Sequence, residues 1–155
     1  MTTARPAKPI TILMADDDLE DREFAREALT EARLTNDFRT VNDGVELLDY
    51  LFRRNAFAEP GAAPRPGIIL LDLQMPRMDG FEALAEIKAD PSLGRIPVVV
   101  LTTSGADEDI ARSYDLKANS YIRKPVNFEG LVEAVQALGR YWFEIVELPQ
   151  GGNSE

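Results

Sequence analysis

The stretch "IILLDLQMPRMDG" (residues 68–80) sets four branched apolar residues, Ile68 to Leu71, directly before a lone carboxylate, Asp72. It then breaks into a proline, two methionines and an Asp79-Gly80 pair. An apolar run with no polar residue on either face reads as a strand covered on both sides, and Asp-Gly reads as turn and helix-start chemistry. Such a strand has no structural need to end on an acid, so Asp72 requires a chemical explanation. "VVVL" (98–101) is a second fully apolar run, and "ITILM" (10–14) leads through Ala15 into three consecutive acids, Asp16, Asp17 and Asp18.

Between these runs the apolar spacing turns helical. "LEDREFAREALTEARL" (19–34) places Phe24, Ala28, Leu29 and Ala32 on one face. "FRTVN" (38–42) reads as a strand, and "DGVELLDYLFRR" (43–54) as a helix with Val45, Leu47, Leu48, Leu51 and Phe52 on its apolar face. A Pro/Gly/Ala loop (55–67) follows. Then come strand 68–72, helix 80–89, strand 97–101, helix 106–115, strand 119–122 and a last helix over about 127–145. Five strands alternating with five helices imply parallel strands joined by right-handed crossovers, a doubly wound α/β sandwich. Ligands in that architecture sit beyond the carboxyl ends of the strands. Asp16 and Asp17 follow the first strand, Asp72 ends the third, Thr102 and Thr103 follow the fourth and Lys124 follows the fifth. If the first strand lies beside the third, these residues meet at one edge.

Composition narrows the chemistry available there. A chain of 155 residues, 45% hydrophobic and 28% charged, fits one globular domain. It has no cysteine and no histidine, which excludes thiolate metal sites, disulfides, Ser-His or Cys-His catalysis and a phosphohistidine of its own. A formal net charge of −10 disfavours direct binding of nucleic acid or anionic lipid. No apolar run approaches the roughly 20 residues of a membrane span, and "MTTARPAKP" carries no signal-peptide core, so a cytoplasmic protein is expected.

Three carboxylates brought together repel one another, and a divalent cation in the gap relieves that repulsion. Oxygen donors without nitrogen or sulfur suit Mg²⁺. Lys124 supplies a point charge for a phosphate oxygen and Thr102 a hydroxyl donor, while Asp72, expected to lie exposed at the strand edge, is the natural nucleophile.

The residues that carry this chemistry also carry a family resemblance. With "ILMADDDLEDR", "ILLDLQMPRMDGFE", "PVVVLTTS" and "SYIRKP" in that order, residues 10 to 140 resemble the response-regulator receiver domain of bacterial two-component signalling. The resemblance implies a flavodoxin-like, CheY-like sheet of order 2-1-3-4-5. It also implies phosphorylation of Asp72 by a partner sensor histidine kinase. Mg²⁺ would sit among Asp16, Asp17, Asp72 and the backbone carbonyl of Gln74, with Thr102 and Lys124 on the phosphate. Tyr121 would act as a rotamer switch that remodels the face of helix 4, strand 5 and helix 5, and the Lys124–Pro125 bond is cis in many members. Asp18 raises a question of register, since a one-residue slip would make Asp17 and Asp18 the metal pair; Asp21 and the strand length favour Asp16 and Asp17. Leu19 stands where a proline is frequent. Among subfamilies, the long "EPGAAPRPG" loop and the "YWFEIVELP" tail (141–149) are similar to small response regulators that partner bacterial and cyanobacterial phytochromes.

On this reading residues 1–9 form a flexible lead, 10–148 the receiver with an extended last helix, and 149–155 a disordered end. The 30 residues after Pro125 leave no room for a DNA-binding output domain, so output is expected through protein contacts. Tyr141, Trp142, Phe143, Ile145 and Val146 suggest a homodimer interface joined to the face of helix 4, strand 5 and helix 5; they could instead fold onto the core. Each site residue has a plainer explanation: Asp16 to Asp18 as helix caps, Lys124 as a solvated lysine, Tyr121 as a strand aromatic. Their joint placement at strand ends makes those explanations improbable together. Two rival functions are a haloacid-dehalogenase-type phosphatase, which needs a second Asp where Gln74 stands, and a receiver-like module that signals without phosphorylation.

Overall fold

Strands β1 (Ile12–Ala15), β3 (Ile68–Leu71) and β4 (Val98–Thr102) are buried at every position, as their unbroken apolar sequences require, and they form the centre of the sheet. The computed structural model describes residues 10–34, 36–124 and 127–138. The less apolar β2 (Phe38–Val41) and β5 (Ser120–Arg123) are the two edges, and the order is β2-β1-β3-β4-β5 with every pair parallel. This is the sheet expected from the sequence.

Alternation of side chains along the strands creates two cores. Leu13, Ile69, Leu71 and Val100 face Leu47, Leu84 and Ile87 of helices α2 (Gly44–Phe52) and α3 (Gly80–Ala89). Ile12, Met14, Leu70, Val99 and Leu101 face Ala25, Ala28 and Leu29 of α1 (Leu19–Glu31) and Val135 and Leu138 of α5 (Phe128–Leu138). Helix α4 (Asp107–Asp115) precedes β5.

Two details of the helices differ from the sequence reading. Helix α1 stops at Glu31 rather than 34, because Ala32 closes it and Arg33 takes a left-handed φ of 63°. Phe24 is 48% exposed: the small residues Ala25 and Ala28 face the sheet and let the helix approach closely, which leaves Phe24 on the flank. Phe52, at the end of α2, is also exposed, and the Arg54 guanidinium covers its ring at 5.1 Å. The loop 55–67 contains a short 3-10 turn (Asn55–Phe57) and is bound to α2. The Tyr50 hydroxyl donates to the Pro64 carbonyl at 2.8 Å and Arg53 Nε to that of Ala63 at 3.1 Å.

The segment between β3 and α3 is held on two sides. At its far end Asp79 and Glu82 form a reciprocal capping box, and the Gly80 amide donates to the Leu73 carbonyl at 2.9 Å. A Cβ on Gly80 would strike the Asp72 carbonyl oxygen, so the close approach requires glycine. On its flank the Gly44 amide donates to the Met78 carbonyl at 3.1 Å. There Arg77, in a left-handed conformation (φ 66°), donates twice to buried Asp43, at 2.8 and 3.2 Å. Asp43 also caps α2 by accepting from the Glu46 amide at 2.8 Å.

Burial works against the Asp43 charge, but the Arg77 guanidinium and the Glu46 amide outweigh it and hold the carboxyl below its ordinary pKa. A depressed folded pKa contributes stability that is present above the unfolded value near 4 and is lost as pH falls through the folded value. Asp43→Ala is therefore expected to lower stability by about 1–2 kcal/mol at pH 7, mostly through the lost cap. In urea titrations repeated down the pH scale, that gap should narrow below about pH 4.

Candidate functional site

Strands β1 and β3 pair in register, Ala15 opposite Leu71, so the next residue on each, Asp16 and Asp72, emerges at the same height on adjacent strands. Asp17 completes the group: one carboxylate oxygen from each of Asp16, Asp17 and Asp72 lies within 4.8 Å of the others. Asp18 is elsewhere. It is the N-cap of α1, accepting from the amides of Glu20 at 2.8 Å and Asp21 at 3.3 Å. The acidic run thus divides between the two chemistries considered for it, two acids facing the cleft and the third starting the helix.

Asp16 is fully buried and Asp72 is 8% exposed, so Asp72 is more enclosed than its position at a strand end suggested. Burial pushes the Asp16 carboxyl up to about 6; its bonds to Lys124 and the Asp18 amide counter this only in part. Burial likewise raises Asp72, against the nearby Lys124 charge. Lys124 extends from the end of β5, and its Nζ donates to Asp16 Oδ2 at 2.5 Å and Asp21 Oδ2 at 2.7 Å, with Asp72 Oδ2 at 3.8 Å. Burial opposes the ammonium charge too, but the two bonded carboxylates prevail and its pKa lies above the ordinary lysine value. One cation is divided among three acids.

Thr102, the last residue of β4, is fully buried, and its hydroxyl has no hydrogen-bond partner among the described residues. It lies close enough to ease the charge on Asp72 but does not meet it in bonding geometry. A buried hydroxyl without a partner costs on the order of 1–3 kcal/mol. Tyr121 is half-buried on β5 and donates to the Ser104 carbonyl at 2.8 Å; the Ser104 hydroxyl donates to Asp109 at 2.6 Å. Gln74 borders an open cleft together with Asp17, Met75, Asp79, Phe81 and Asp109.

Asp16, Asp17, Asp72, Thr102 and Lys124 therefore converge as the sequence suggested. Two contributors were not anticipated in their roles. Asp21 shares Lys124, and Arg22 donates to the Asp16 carbonyl at 2.6 Å. Both lie in the first turn of α1, where charged residues ordinarily read as capping and dipole partners. The Lys124–Pro125 bond and residues Tyr141, Trp142, Phe143, Ile145 and Val146 lie outside the described residues.

The donor set consists of carboxylate oxygens, which suits a hard divalent cation. In metal-free protein the ionised cluster is a cost. A raised folded pKa means that the folded chain keeps a proton the unfolded chain releases. The Asp16 penalty is thus absent below the unfolded value near 4 and complete above about 6. With chelator present, Asp16→Asn is expected to stabilise the fold by about 1–3 kcal/mol at pH 7.5. Thermal melts should show that gain disappearing towards pH 4, and saturating Mg²⁺ should raise the melting temperature of the parent more than that of the variant.

Comparison with known proteins points the same way. The family model of the response regulator receiver domain matches residues 12–136. Response regulator Rcp1 of Synechocystis is 39% identical over 141 residues, covering 91% of this chain and 94% of Rcp1. The crystal structure of its Mn²⁺-bound form superposes with a TM-score of 0.82, over 91% of this chain and 99% of that one. The phosphorylated cyanobacterial phytochrome response regulator RcpA is 41% identical, with a TM-score of 0.83 and the same coverage. RPA3017, from red light signaling in R. palustris, is 37% identical with a TM-score of 0.85, again over 91% and 99% of the two chains. A match spanning all five strands, on a sheet whose strand ends gather these acids around one lysine, leaves one conclusion: the chain belongs to the response regulator receiver domain family.

Proposed function

We propose that Asp72 is the phosphoacceptor of this response regulator and that the donor is a phosphohistidine on a partner sensor kinase. An Asp72 carboxylate oxygen attacks phosphorus; a P–O bond forms, the P–N bond breaks, and the imidazole nitrogen leaves with the bonding pair. The observation that carries the reading is the unpartnered Thr102 hydroxyl beside Asp72, with the Lys124 ammonium 3.8 Å from the same carboxylate. Both are donors suited to phosphoryl oxygens. The chain has no histidine, so the phosphohistidine belongs to another protein.

Asp16, Asp17, Asp72 and the Gln74 carbonyl would hold Mg²⁺, which, when bound, offsets the charge of the carboxylates and the incoming phosphoryl group. The Mn²⁺ form of Rcp1 supports a divalent ion here. Thr102 would turn towards the phosphoryl oxygens and Tyr121 would leave the Ser104 carbonyl, changing the face of α4, β5 and α5. The phytochrome and red-light context of RcpA and RPA3017 supports a phytochrome-type kinase as the partner. The same reading includes a homodimer through the α4–β5–α5 face and Tyr141, Trp142, Phe143, Ile145 and Val146; the 48% exposed Tyr114 on α4 supports it. A haloacid-dehalogenase-type phosphatase is not favoured, since Gln74 cannot serve as its proton donor.

Incubation with acetyl phosphate and Mg²⁺ is expected to add one phosphoryl group to the intact mass, and omission of Mg²⁺ or the change Asp72→Asn to abolish it. Persistence of the adduct in Asp72→Asn would overturn the assignment. Thr102→Ala should slow its formation about tenfold, the loss expected of one hydrogen bond to a charged group. Light scattering with and without beryllofluoride tests the dimer, and a monomer under both conditions would remove it.

A further inference from the structure

Lys124 is not aimed at Asp72 in this structure. Its Nζ lies 2.5 Å from Asp16 and 2.7 Å from Asp21, whereas the 3.8 Å to Asp72 exceeds hydrogen-bond length. Two of its three N–H donors are thus committed on the α1 side. Asp21 is not among the carboxylates that can share one cation, Asp16, Asp17 and Asp72, so its known partner in the site is the lysine. The Asp21 amide bonds to the Asp18 cap at 3.3 Å, and its side chain is 36% exposed while that of Lys124 is 11% exposed. Met14, Leu101 and Leu131 line a small cavity beside the pair, an apolar wall that strengthens the attraction.

We infer that Asp21 is a positioning residue that holds Lys124 on the α1 side of the site until a phosphoryl oxygen replaces it. The inference rests on the reading of Asp72 as phosphoacceptor and adds a competition to it. The ammonium that stabilises the phosphorylated form must first leave a carboxylate that supports the unphosphorylated one. Asp21 therefore slows phosphorylation and favours return to the resting state.

The test is the second-order rate constant for phosphorylation by acetyl phosphate at saturating Mg²⁺, read by intact mass. In that reaction Asp72 oxygen bonds to phosphorus, the P–O bond to the acetyl group breaks, and acetate leaves with the electron pair. Asp21→Asn is expected to raise the constant about three- to tenfold, as for release of a partly buried ion pair, and Asp21→Glu to return it towards the parent value. Glu20→Gln removes the same charge one residue away and should leave the rate unchanged. In a Lys124→Ala background, Asp21→Asn should add nothing, because the coupling is between those two side chains. Asp21→Ser serves if the Asn variant fails to fold. An unchanged or lower rate, a rise equal to that of Glu20→Gln, or a rise that survives Lys124→Ala would overturn the inference while leaving Asp72 in place. An adduct that does not need Asp72, or no adduct on the parent protein, would overturn that reading and this inference with it.

Discussion

Unequal sharing of one ammonium among three carboxylates, two of them buried, is the constraint on which the rest of this structure depends. Lys124 bonds Asp16 and Asp21 but lies 3.8 Å from Asp72, beyond hydrogen-bond length. Asp72 is left buried, raised in pKa and incompletely compensated. A buried carboxylate without full pairing is a cost that a fold removes unless the group has a use in that condition. An anion short of counter-charge is one whose cost a divalent cation would relieve.

The scaffold keeps that cost from relaxing. Asp16 and Asp72 follow adjacent central strands, and the Asp72 amide donates to the Ala15 carbonyl, so they cannot drift apart without breaking the sheet; the Asp16 amide is fixed in turn on the carbonyl of Val41 in β2. The segment after Asp72 is just as confined. Gly80 packs against the Asp72 carbonyl, and the Asp43–Arg77 pair binds the loop to the start of α2. Arg77 is largely exposed, so as an ion pair this contact contributes little. Its value is geometric, because it fixes a left-handed loop residue against a helix cap and so fixes the cleft in which Gln74 stands.

The parts of this arrangement that were legible in the sequence are those set by burial and strand order. Ile68–Leu71 and Val98–Leu101 could be read as central strands because a strand covered on both faces has no polar alternation, and Asp72 was conspicuous for breaking that pattern. Asp16 to Asp18 could not be separated, since cap and ligand use the same functional group; backbone direction after Ala15 decides which acid does which. The end of α1 was invisible because no glycine or proline marks it and Arg33 takes the left-handed turn itself. Phe24 misled because the close face of α1 belongs to alanines, which a hydrophobicity pattern ranks below phenylalanine. The bonding of loop 55–67 to α2 through Tyr50 and Arg53 depends on contacts distant in sequence that no local pattern encodes.

Asp21 shows the deeper limit. In the sequence it is one more acid in a first helical turn, and by the dipole argument alone it needs no other reason. The fold brings β5 across to it, and a local helix preference becomes a long-range counter-charge 103 residues away in the chain. The same crossing supplies the asymmetry of the site. Asp16 and Asp21 hold the ammonium, while at the end of β4 the Thr102 hydroxyl has no hydrogen-bond partner among the described residues. A phosphoryl group on Asp72 would reverse both conditions, drawing the ammonium away from α1 and giving the hydroxyl its acceptor. Tyr121 is bonded to the Ser104 carbonyl two residues beyond that hydroxyl, so the proposed movement of Thr102 would bear on it directly.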